Sequence, residues 1–261
     1  MEELENDEII EQPRRMRFDW LLPLFLKPRD TLKRVIEKPY AVWLVPLLVL
    51  SALVILAALA ASPVRSQQAI ASQTLPPDFQ YYSPEDQQRM LDSQQNAGSF
   101  VLSFVLPAAG SLIGVWVSWF LLGSLLHLLL TLAGSRSSNL ASLNLTAWAS
   151  LPLALRQLVH LLAALLGGSV VSQTGLSALA PAGASGFGAF LAAFLNLIDL
   201  YLVWQVILIL IGVVPLTGLA PRKARLTALA AVFVLLLLQS LPGFLLGGLF
   251  SGGSSTGMFF F

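Results

Sequence analysis

The chain has 261 residues, of which 56% are hydrophobic and only 11% charged, with a formal net charge of +1. A soluble domain carries about a quarter charged residues, so this composition excludes an ordinary water-soluble fold. The small net charge offers no field to draw in nucleic acid, and the absence of Cys removes disulfides, thiolate metal sites and Cys nucleophiles together.

Residues 1–17 are rich in charge and nearly free of aromatics, which predicts a disordered tail. No short apolar run follows the acidic start, so a cleaved signal peptide is not expected. The character changes over residues 18–39. Trp20, Leu21, Leu22, Leu24, Phe25 and Leu26 precede Pro28, a good first helical residue. Leu32, Val35 and Ile36 then share one helical face. Arg29, Lys33 and Arg34 lie elsewhere, Asp30 can pair with Arg34 four residues on, and Lys38 and Pro39 close the segment. A short basic amphipathic helix beside a span suits the cytoplasmic membrane interface. Packing against the cytoplasmic ends of the spans is the other placement open to it.

Residues 40–250 carry five long apolar runs, at about 40–61, 100–133, 141–167, 190–217 and 226–250. Each can cross a hydrocarbon core of roughly 30 Å as a helix. They are blocks of Leu, Ala and Val without period-two alternation, so a β-barrel is not expected. The run at 100–133 is too long for one perpendicular crossing at about 1.5 Å per residue, and Pro107 and Gly110 are its natural bend points. Lys and Arg total eight before the first run and two (Arg65, Arg89) in the next connection. Arg136 marks the third connection, and Arg222, Lys223 and Arg225 form the fifth. The two sides therefore hold twelve and two, which predicts a cytosolic N-terminus and an outside C-terminus. The outer loop after the first run has a good helix start at Ser83-Pro84-Glu85-Asp86, predicting a soluble helix to about Asn96. The loop at 168–189 is uncharged Gly, Ala and Ser, and residues 251–261 form a flexible tail.

Two charges stand alone inside apolar runs, Arg156 and Asp199. Arg156 and His160 are four apart and so share a helical face. Counting about 1.5 Å per residue from the outer ends puts Asp199 level with them. An unpaired charge at that depth costs about 3 kcal/mol on insertion scales. Asp199 is therefore expected to face Arg156 or His160, with Asn196 and Gln205 nearby. One acid and one base is the minimum for interhelical glue, so a structural clasp is favoured over a proton relay. His127 is expected to bond a neighbouring polar group. Gly110–Gly114 and Gly243–Gly247 are small-xxx-small steps that allow close helix approach. Asn144-Leu-Thr146 fits a glycosylation sequon but opens a span on the cytosolic side. No P-loop, HExxH, G-x-S-x-G, metal-ligand cluster or pair of catalytic carboxylates occurs in the spans, so neither a catalytic site nor a cofactor is expected.

Phe25-Leu-Lys-Pro28-Arg-Asp-Thr31-Leu32 with Pro39 before the first span, His127 ahead of Gly134, and Ala147-Trp-Ala-Ser-Leu-Pro152 follow one another in this chain. Leu200-Tyr201-Leu-Val-Trp204 running to Gly212 and Gly218-Leu-Ala-Pro-Arg-Lys-Ala224 complete the series. In this order they resemble prokaryotic Yip-domain proteins, relatives of the eukaryotic Ypt/Rab-interacting membrane proteins. The resemblance runs from about residue 20 and implies a five-helix membrane domain with a cytosolic N-terminus. The eukaryotic relatives are linked to trafficking, Rab binding and membrane shaping. Their Asp-Leu-Tyr-Gly-Pro and Gly-Tyr-Ser motifs are missing here, so Rab binding is not carried over.

The expectation is an all-α, five-span, non-enzymatic membrane protein that organises the membrane or partner proteins through Arg29, Lys33, Arg34, Lys38, Arg222, Lys223 and Arg225. Its expected partners are the bilayer, anionic headgroups on the cytoplasmic face, and a second copy or other membrane proteins. Its expected location is a prokaryotic cytoplasmic membrane, with an ER or Golgi membrane as the alternative. The competing function is a small transporter or channel using Arg156, His160 and Asp199.

Overall fold

The computed structural model describes residues 16–73, 75–171, 175–179 and 187–249, with side chains as far as 241. Most of the expected disordered tail 1–17 lies outside the described residues. So do the tail 251–261, much of the loop 168–189 and the surroundings of the Gly243–Gly247 step. The described residues are helical and contain no strand.

After a turn of 3-10 helix at Phe18–Trp20 come α1 (Leu21–Leu26) and α2 (Pro28–Ile36), separated by Lys27. Pro28 opens α2, and the Thr31 hydroxyl donates to the Lys27 carbonyl at 3.1 Å. The first membrane helix, α3, runs Leu44–Ser72, well past the expected end at 61. Polar residues end the hydropathy signal there but do not end the helix. Its last turn is finished by Gln94, whose side-chain amide donates to the Gln73 carbonyl at 3.0 Å. The expected outer helix is α4, Pro84–Ala97, with the Ser83 hydroxyl accepting from the Asp86 N–H at 3.2 Å. A π turn at Val101–Val105 leads into α5, Leu106–Leu132. Pro107 has no N–H to give the Ser103 carbonyl, and the bend falls at that point.

Two expected spans are broken. The third is α6 (Asn139–Ala149) and α7 (Leu151–Gly167), joined at Ser150. Pro152 cannot donate to Trp148, and the Ser150 hydroxyl covers the Ala147 carbonyl at 2.7 Å. The expected fourth span 190–217 is α8 (Phe187–Leu197) and α9 (Leu200–Thr217), with extended backbone at Asp199 between them. Leu176 N–H donates to the carbonyls of Leu195 and Ile198 at 3.0 and 3.1 Å, satisfying the end of α8. Gly175 makes that approach feasible, because a Cβ there would lie 2.6–2.8 Å from three carbonyl oxygens. Finally α10 runs Pro221–Leu249. Arg222, Lys223 and Arg225 therefore stand on its first turns rather than in a loop. Five helical segments are long and apolar enough to cross a membrane: Leu44–Ser72, Pro84–Leu132, Asn139–Gly167, Leu200–Thr217 and Pro221–Leu241.

At the centre α6 lies between α5 and α9. Leu143 fits over Gly123 of α5 and Leu145 over Gly212 of α9, at distances that leave no room for a Cβ on either glycine. The start of α3 is set well inside the bundle. Trp43 rests on Trp119 with ring centroids 4.8 Å apart, and Trp119 lies 13 residues, about 20 Å, short of the end of α5. The space beneath is filled by the N-terminal segment, whose Leu24, Leu32 and Val35 are fully buried in one core with Leu126, Leu130, Leu145 and Trp148. Phe25 meets Trp204 of α9 edge-on at 5.4 Å, so the segment runs up the side of the bundle. Of the two placements open to residues 18–39, the helix packed on the spans is the one observed, with α2 against α6 and α9.

The chain between α2 and α3 is non-helical, with Val42 fully buried, and its backbone is held by α6. Asn144 Oδ1 accepts from Val42 N–H at 3.0 Å while its amide donates to the Tyr40 carbonyl at 3.1 Å. The Trp148 indole donates to the Val42 carbonyl at 3.0 Å. Asn144 thus uses its amide as a structural clamp and is fully buried, closed to glycosylation. Replacing Asn144 with Leu should lower stability by about 2–4 kcal/mol, since two buried backbone groups lose their partners. Unfolding by SDS titration from mixed micelles would read this directly, and a change as small as that of lipid-facing Leu121→Ala would refute it.

Candidate functional site

Two regions carry polar chemistry. The first is the basic surface. Lys27, Arg29, Lys33 and Arg34 are exposed around α2, Arg136 is exposed on the connection between α5 and α6, and Arg222, Lys223 and Arg225 are exposed on the first turns of α10. Ser135 ties the α5–α6 connection to the end of α9, just before α10, by donating to the Thr217 carbonyl at 3.2 Å. The expected Asp30–Arg34 pair is not formed among the described residues. Lys33 instead meets Glu37 at 3.9 Å, with both side chains largely exposed, a contact of small energy. Lys38 is half-buried, its ammonium 6.0 Å from the Tyr40 ring centroid. Beside these cations Phe18, Leu22 and Leu26 point away from the bundle, Leu26 at 71% exposure.

The second region is inside. Arg156 of α7 and Asp199 form an ion pair, Nη1 to Oδ2 at 3.1 Å, with side chains 18% and 10% exposed. The second carboxylate oxygen, Oδ1, accepts from Leu202 N–H at 2.7 Å. Asp199 is therefore both the clasp between α7 and α9 and the N-cap of α9. The break in the chain is what allows the second role. Arg156 Nε is buried without a hydrogen-bond partner among the described residues. His160 makes no hydrogen bond to Asp199 there, although Arg156, Asp199 and Arg65 all lie within Coulombic range of it.

A cavity of about 130 Å³ opens beside this pair, between α3, α5, α7, α9 and α10. Arg156 and Gln205 line it; Asn196 does not. Gln157, Gln239, Ser111 and Ser118 also line it, and Gln239 donates to the Ser118 hydroxyl at 2.6 Å. Both broken spans reach its wall, through Ser150 and Leu197.

Several residues read differently from the sequence. Arg65 belongs to α3 rather than to a loop, with Nη1 buried and unpartnered among the described residues. His127 lacks the expected polar partner. Its Nδ1 is buried without one among the described residues, and the Thr131 hydroxyl donates to its main-chain carbonyl at 2.8 Å rather than to the ring. Gly110 of the Gly110–Gly114 step faces open space within this chain. Asn144, Gln157 and Gln239 were not singled out for these positions. A polar amide inside an apolar run was the available signal. No group of three metal-ligating side chains occurs among the described residues.

Five membrane-length helices around a buried ion pair make this a multi-pass integral membrane protein. The Yip1 domain family model matches residues 23–241, well over half of the chain, and the chain belongs to that family. No curated protein and no solved structure matches it.

The double role of Asp199 is separable by substitution. Asp199→Asn keeps an acceptor for Leu202 but strands the Arg156 charge, and should destabilise by about 3–5 kcal/mol. Adding Arg156→Leu should restore most of that loss, because no buried charge remains. Additive losses in the double variant, measured by SDS unfolding, would show that the pair is not coupled.

Proposed function

We propose that this Yip-family protein is non-enzymatic and organises the bilayer or neighbouring proteins through its basic end, which faces the cytosol. The observation that carries the reading is the N-terminal segment. Its buried Leu24, Leu32 and Val35 fasten it to the spans, while Arg29, Lys33, Arg34, Leu22 and Leu26 face outward together. Outward apolar and basic side chains on one short helical segment suit a leaflet rich in anionic headgroups. The asymmetry of twelve basic residues to two supports the cytosolic assignment. A prokaryotic cytoplasmic membrane fits this reading.

Replacing Arg29, Lys33 and Arg34 with Gln tests it without touching the buried face. In nanodiscs of mixed neutral and anionic lipid, the variant should lose about 1 kcal/mol of anionic-lipid preference per charge removed. The wild-type preference should also weaken as salt rises. Native mass spectrometry of co-purified lipid gives the readout, and an unchanged lipid profile would count against the proposal.

One observation favours a second reading, a small transporter or proton pathway. Two discontinuous spans meet a partly polar cavity inside the bundle, a construction that transporters use at their binding sites. On that reading proteoliposomes loaded with a pH-sensitive dye show protein-dependent proton flux, and Asp199→Asn lowers it by about tenfold or more. Absence of flux, or flux unaffected by the substitution, removes the reading.

A further inference from the structure

The cavity has a wall that its own bundle does not satisfy. Gln205, 6% exposed as a residue, turns onto the cavity wall with no side-chain hydrogen bond to another described residue, and the Nε–H of Arg156 is buried without a partner among the described residues. The rest of the wall is mostly apolar, from Leu50 and Val115 to Val206 and Leu235. An apolar chamber with a few convergent polar groups is the usual form of a small-molecule site. A buried N–H without a partner, as at Arg156 Nε, costs stability until something supplies the bond.

The charges beside the cavity restrict what can enter. Arg156 and Asp199 already neutralise each other at 3.1 Å. Asp199 is not on the cavity wall but already neutralises Arg156, so an anion placed there finds no free counter-charge, and a cation meets the Arg156 guanidinium. Either would bring an uncompensated charge into a low-dielectric interior. A neutral oxygen carries no such penalty, and it can accept from Arg156 Nε or Gln205 while donating to the Gln205 carbonyl. Size sets the other bound. A cavity of about 150 Å³ takes a benzene ring, so about 130 Å³ holds an aliphatic body of roughly that size.

We propose that the cavity between α3, α5, α7, α9 and α10 is a binding site for a neutral amphiphile, an aliphatic chain of about six carbons ending in a hydroxyl or ester oxygen held by Gln205 and Arg156. The oxygen can come from a free alcohol or from the head of a neutral lipid entering from the bilayer. The site requires neither transport nor the basic surface, so its test stands apart from both readings of function.

The test is photolabelling of the full chain in nanodiscs with a diazirine-bearing hexanol, with adducts mapped by peptide mass spectrometry. Adducts are expected on cavity-lining residues such as Val115 and Val206. The matched diazirine-bearing hexanoate should label them about tenfold less, for want of a counter-charge. Gln205→Leu, which keeps the shape and removes the amide, should lower hexanol labelling about fivefold. Val206→Phe should block it by filling the space. Competition by excess hexanol but not by a monoacylglycerol assigns the site to a free alcohol; competition by the monoacylglycerol assigns it to a neutral lipid. Adducts confined to lipid-facing residues such as Phe120 and Leu128 overturn the proposal, as does equal labelling by the hexanoate. Both of those outcomes are read on the wild-type protein and do not depend on any variant folding.

Discussion

Hydrocarbon offers no partner to a backbone N–H or C=O, and that constraint shapes the irregular stretches described within the bundle. The most demanding one is the non-helical chain at Tyr40–Val42 between α2 and α3, which carries Val42 into the bundle. Asn144 and Trp148, one turn apart on α6, take over three of its backbone groups. Because that entry is possible, α3 can start deep inside the bundle and the α1–α2 segment can fill the space below. The placement of the N-terminal segment, and with it the outward set of basic and apolar side chains, rests on these three hydrogen bonds.

The two broken spans obey the same constraint by other means. At Ser150 the hydroxyl and a tightened turn cover the Ala147 and Thr146 carbonyls at the end of α6, next to the Trp148 carbonyl that Pro152 cannot serve. At Asp199 the chain is extended, and the loop from Gly175 covers the end of α8 while the carboxylate caps α9. Asp199 spends one oxygen on the helix and one on Arg156. A single side chain thereby removes two liabilities, an uncapped helix start and a lone buried cation.

Hydropathy made the spans legible because long uncharged runs have few other uses, and Lys/Arg counting offered a side for each connection. Depth counting brought Arg156 and Asp199 to one level, and the structure puts them in contact. Breaks within apolar runs were harder to see. Leu197-Ile198-Asp199-Leu200 reads as one continuous span, since the only sign of a new helix is an Asp before apolar residues, and the charge argued for a pair instead of a cap. Asn144 was hidden differently. Its partners are backbone groups about a hundred positions away, which no local pattern can reveal. The end of α3 was misplaced because Arg65, Gln67 and Gln68 end hydrophobicity without ending helicity.

One interior amide, Gln205, follows from none of these structural demands. Asn144 has backbone partners and Gln239 has Ser118, so each is accounted for by what it holds. Gln205 holds nothing among the described residues, yet it is nearly as buried as the leucines around it. A leucine there would fill similar volume without desolvating an amide, so packing alone favours the apolar residue. The same holds for the unused Nε–H of Arg156, which a shorter or differently placed cation would not strand. The clamp at Asn144 and the cap at Asp199 are polar groups that the fold requires. The wall at Gln205 is a polar group that the fold tolerates, and a bound neutral oxygen is the partner that would turn that tolerance into a function.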